Sequence, residues 1–118
     1  MNLGLIDNQG TLQFKGWGTQ ENGRLINFGI VNNNGIVTFE HSGFDNIGEV
    51  KNQGTLTSDF RFNNRNMFEN FGNVELTTSA IFLNTGSFEN SGSMNVECMA
   101  SVTGNNVTGN EISNNCVE

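Results

Sequence analysis

The chain has 118 residues, a formal net charge of −7, one His, one Trp, two Cys and neither Tyr nor Pro. An acidic surface disfavours nucleic acid and anionic membranes as partners, and no apolar run approaches the length of a membrane span. A lone His leaves a Ser-His-Asp arrangement unsupported, and the His and Cys present are too few for a zinc site.

The chain opens on a phrase that recurs to its end. Met1 to Phe14 carries Asn2-x-Gly4, then Asn8-x-Gly10, with apolar Ile6, Leu12 and Phe14 between and after them. The first Asn returns at Asn27, Asn46, Asn64 and Asn84, and the second at Asn33, Asn52, Asn70 and Asn90. The Gly partner fails once, at Asn66. The phrases are spaced 25, 19, 18 and 20 residues apart, and the first spacing contains the insertion KGWGTQENGR, residues 15–24.

Apolar positions within each phrase alternate with a period of two, which is a strand period. Strands of this length, Gly-containing turns and a period near 19 predict an all-β chain. The expected fold is a single-stranded parallel β-helix (a β-solenoid) of about six coils with Asn-x-Gly corners. One domain, residues 1–118, accounts for the whole sequence. Equivalent residues would stack about 4.8 Å apart. Each of Asn8, Asn27, Asn33, Asn46, Asn52, Asn64, Asn70, Asn84 and Asn90 would lie over an identical residue, so their amides would form hydrogen-bonded ladders. Gly, and Asn66 in its place, would supply the unusual dihedrals of the bend.

Later parts of the chain add few chemical groups. Trp17, between Gly16 and Gly18 in the insertion, is either a sugar-stacking aromatic or a cover for apolar core. His41 falls in a connection and is expected to be a turn residue, and Phe60 is expected to help fill the third corner. Lys15, Arg24, Lys51, Arg61 and Arg65 are scattered, with no basic patch expected. Acidic residues fall in two columns, Glu69 with Glu89, and Glu40 with Asp59 and Glu97. They suit solvated surface, with Ca²⁺ binding or an acid pair as the alternatives. Thr positions are too irregular for an ice-binding face.

From Val102 the Phe positions disappear. Residues 102–118 form a decayed coil in which Gly104, Asn106, Asn110 and Ile112 are placed on the grid. Cys98 and Cys116, 18 residues apart, would occupy neighbouring rungs, close enough for a disulfide. Such a bond implies an oxidising compartment. Asn2 already stands in the first phrase, so no leader peptide is expected at Met1.

The segment LIDNQGTLQF (Leu5 to Phe14) and the near-19-residue period resemble the repeats of filamentous-haemagglutinin-type adhesins. The resemblance implies an extracellular or cell-surface parallel β-helix serving as a scaffold, with no functional residues to carry over. No catalytic, metal or cofactor residues are expected. The expected role is a structural subunit that pairs axially with copies of itself into a filament, or a segment of a longer stalk. The competing class is a carbohydrate-binding or carbohydrate-active module using Trp17 and the acidic columns on surface glycans.

Overall fold

In the computed structural model, which describes residues 1–16 and 24–115, the chain is all β. Every strand pair is parallel. Three sheets enclose one core. The first holds β3 (Leu25–Asn27), β6 (Phe44–Asn46), β9 (Arg61–Asn64), β12 (Ile81–Asn84) and β15 (Ser101–Gly104). The second holds β1 (Leu5–Asn8), β4 (Ile30–Asn33), β7 (Glu49–Asn52), β10 (Met67–Asn70), β13 (Ser87–Asn90) and β16 (Thr108–Gly109). The third holds β2 (Thr11–Lys15), β5 (Ile36–Glu40), β8 (Thr55–Ser58), β11 (Asn73–Leu76), β14 (Ser93–Glu97) and β17 (Ser113–Asn115). The six phrases wind about five turns of a β-solenoid, because the first meets the first sheet only through an isolated bridge, Asn2 to Asn27.

Register follows from the period of two. Leu25, Phe44, Phe62 and Phe82 stack inward on the first sheet. Val31, Val50, Phe68 and Phe88 do so on the second. Shifting any strand by one residue would turn these side chains to solvent and expose the next column. The rings stack as well as pack: Phe68 and Phe88 lie 4.4 Å apart at 5°, and Phe39 and Phe44 4.7 Å apart at 10°. Ser58 interrupts the inward column of the third sheet. It is fully buried, and its hydroxyl has no hydrogen-bond partner.

The glycines at the corners have a different cause from the one expected. Among the described residues, positive φ occurs at His41, Thr78, Gly104 and Gly109, and at none of the Asn-x-Gly glycines. What those glycines answer is the rung before them. A Cβ on Gly29, Gly35, Gly48, Gly54, Gly72, Gly86 or Gly92 would collide with a backbone carbonyl of the preceding coil. Asn66 therefore does not stand in for Gly by adopting a left-handed conformation.

Candidate functional site: the two ends of the solenoid

The Asn ladders are continuous and directional. Asn2 Nδ2 donates to Asn27 Oδ1 (2.8 Å), Asn27 to Asn46 (2.9 Å), Asn46 to Asn64 (2.9 Å) and Asn64 to Asn84 (2.9 Å). The second ladder runs through Asn8, Asn33, Asn52, Asn70 and Asn90, at 2.8–2.9 Å. The amide hydrogens also reach backbone carbonyls. Asn52 Nδ2, for example, donates to Gly54 O in its own coil and Asn73 O in the next. From Asn27 to Asn90 these side chains are buried, with their polar atoms satisfied by one another. That is the condition under which a polar group is tolerated in a core.

Every Asn-to-Asn link of the two ladders donates toward the C-terminal end, so the two ends of the stack differ. At the first coil, Asn2 and Asn8 receive no amide from below among the described residues. Ile6, Leu12 and Phe14 are only partly buried, where their counterparts Val31, Val37 and Phe39 are buried. Strands β1 and β2 are paired on one side only.

At the other end the ladders stop on a repeated device. Asn84 pairs with Gly104 and Asn90 with Gly109, both at positive φ (96° and 93°). The amides of Asn84 and Asn90 end on the backbone carbonyls of Asn105 (3.1 Å) and Asn110 (3.2 Å). Asn105 and Asn110 then turn their own amides back to Gly86 O (3.2 Å) and Gly92 O (2.9 Å). The sequence grid had placed Asn110 opposite Asn90. The structure puts Gly109 there, one residue earlier, because the last coil is shortened. Val102, Val107 and Ile112 line a concavity of about 530 Å³ on this face.

The third corner, between the third and first sheets, has no ladder. There His41 (φ 50°) and Thr78 (φ 56°) sit in the left-handed region. The His41 amide donates to Asp59 Oδ1 (2.8 Å), and the Thr78 amide to Glu97 Oε2 (2.7 Å). Two of the acidic column residues are therefore turn clamps reaching from the next coil. Glu40 takes Gln13 Nε2 (3.3 Å) and faces Lys15 at 3.8 Å. Glu69 and Glu89 are neighbours on the second sheet. No group of acids, His or Cys that could hold a metal is found among the described residues. Phe60 lies in this connection half-buried, with the Arg61 guanidinium 5.8 Å from its ring. The buried side chains at that corner are Ser42 and Ala80.

Three arginines expected to be scattered converge. Arg24, Arg61 and Arg65 line a polar pocket of about 160 Å³ on the outer face of the first sheet. Asp45, buried at its floor, accepts from Asn63 Nδ2 (2.8 Å) and faces Arg24 (3.5 Å) and Arg65 (3.9 Å). The coil period brings them together: Leu25, Phe44 and Phe62 share a column, so Arg24 and Arg61 flank Gly43.

Cys98 is disulfide-bonded, while Cys116 lies outside the described residues. So does Trp17, the candidate glycan contact. No family model, curated protein or solved structure matches the chain.

Proposed function

We propose that the chain is a structural segment of an extracellular filament or adhesin-type stalk, joined to its neighbours axially through the coil ends. The observation that carries this reading is the first coil. It presents two strand edges paired on one side and a partly uncovered core. Unpaired edges of that kind recruit further strands. Contact between unlike ends propagates as an open fibre rather than closing into a ring.

Glycan-array screening separates this role from a carbohydrate-binding module. A structural segment is expected to bind no glycan. Saturable binding that Trp17→Ala abolishes, with the circular dichroism spectrum unchanged, would overturn it. Electron microscopy of the non-reduced protein over a concentration series then decides between two forms of assembly. Fibres with a repeat of about 25–30 Å, six rungs of strand spacing, mean copy-on-copy stacking. Discrete particles mean a segment of a longer stalk. The differing ends favour the second form.

A further inference from the structure

The two ends of the solenoid are not complementary to each other, and the first one is shaped for something specific. In later coils each corner glycine is required by a carbonyl of the preceding rung. Gly4 and Gly10 occupy the same corner positions, yet a Cβ on either would meet nothing within 4 Å. Nothing in the described structure requires glycine at these two places. The surface they leave matches the space that the later glycine corners reserve for the coil below them.

The hydrogen-bond polarity agrees. In each later rung the Asn Oδ1 accepts an amide from the rung before, as Asn27 accepts from Asn2 and Asn33 from Asn8. Asn2 and Asn8 present this acceptor side outward. A complementary surface must offer side-chain amide donors at two corners and main-chain carbonyls over Gly4 and Gly10. It must also carry an apolar column to meet Ile6, Leu12 and Phe14. The chain's own last coil does not: Gly104 and Gly109 stand at the ladder positions, and Asn105 and Asn110 direct their amides back into the stack.

We infer that the first coil is a one-way socket for a β-solenoid rung ending on asparagine donors, and that the last coil is a terminator which cannot fill it. The partner is a coil of the type seen at Asn84 and Asn90 in the absence of the last coil. This rests on the axial reading above and names the chemistry of the neighbour.

Two tandem fusions test it. In the first, residues 1–100 precede the complete chain, with Cys98→Ser in the leading copy. Asn84 of the leading copy then lies 18 residues before Asn2 of the trailing copy, the spacing that separates Asn46 from Asn64. The second fusion joins two complete chains. The first is expected to unfold in one transition, with a urea m-value about twice that of the single chain, because m scales with the surface exposed in one cooperative event. The second is expected to keep the single-chain m-value. Gly4→Val with Gly10→Val in the trailing copy should return the first fusion to the single-chain value, while the same pair leaves the isolated chain's Tm unchanged.

A single-chain m-value for the first fusion would overturn the socket, and coupling in the second would overturn the terminator. A lowered Tm for the isolated double variant would show that these glycines serve their own coil, and would overturn the argument without any fusion. None of these outcomes bears on glycan binding, so the failure of the socket and the failure of the structural reading are distinguishable.

Discussion

The two Asn corners and the third corner solve the same problem, a turn between sheets, by opposite means. At the Asn corners the first five coils place asparagine at the same two positions, and the bonds run from rung to rung through the core. Between the first and second Asn of the first five phrases the spacing is always six residues. At the third corner no side chain forms a ladder through the coils. His41 and Thr78 hold left-handed backbone conformations, and each is clamped from outside by a carboxylate of the following coil. All of the variation in coil length, 25, 19, 18 and 20 residues, falls there, as does the insertion at 15–24. A ladder demands constant geometry at every level, whereas a peripheral clamp needs only one acceptor within reach.

If this contrast is right, equal-sized changes at the two kinds of corner should have unequal costs. The largest effect is expected for Asn52→Ala, which strips a buried link from the middle of a ladder. It leaves Asn33 and the carbonyls that Asn52 served short of partners. At about 1–3 kcal/mol for each buried group left unsatisfied, chemical denaturation should show a loss of about 3 kcal/mol or more. Next comes Gly54→Ala, where the new Cβ meets the Gly35 carbonyl. Overpacking against backbone costs about 1–3 kcal/mol. Gly10→Ala, the same change in the open first coil, is the control and should not move the melting temperature.

At the third corner, Asp59→Ala removes one exposed clamp. A loss of about 1 kcal/mol is expected for one hydrogen bond, read as a drop in the urea midpoint. A loss as large as that of Asn52→Ala would erase the distinction between the corners. The smallest change is Thr78→Gly. A left-handed conformation costs a non-glycine residue about 1–2 kcal/mol, and glycine returns part of that through its greater unfolded freedom. The net is a gain of roughly 0.5 kcal/mol. Destabilisation instead would mean that the threonine side chain contributes something the turn geometry does not account for.

The same contrast governs how much of the fold is legible in the sequence. The columns of Asn, Gly and apolar residues were legible because each repeats, and repetition in a solenoid is spatial stacking. The strands, their parallel pairing and both ladders follow from Asn27, Asn46, Asn64 and their counterparts. The reason for the glycines was not legible. A turn requiring φ > 0 and a close approach between rungs select the same residue, and only the backbone distances tell them apart. The clamps at His41 and Thr78 left no pattern, since Asp59 and Glu97 look like ordinary surface acids. Arg24, Arg61 and Arg65 look scattered in the sequence because the length irregularities hide that the first two share a column. The terminator was obscured by one missing residue, which moves Gly109 into the place of Asn110.

One consequence of the aligned amides concerns how the molecule comes apart. Hydrogen bonds in a chain polarise one another, by about 10–30% per bond, so an interior link is held more firmly than a terminal one. In the nearest-neighbour description of repeat proteins, part of the coupling between adjacent coils runs through the core amides and not only through the strand edges. The last coil, whose side chains add no link to either ladder, contributes the weakest coupling. Unfolding should therefore start at that end and progress toward the first coil. Hydrogen exchange would then show a gradient of protection along the axis, lowest for the amides of β15 and β16 and rising toward β7 and β10.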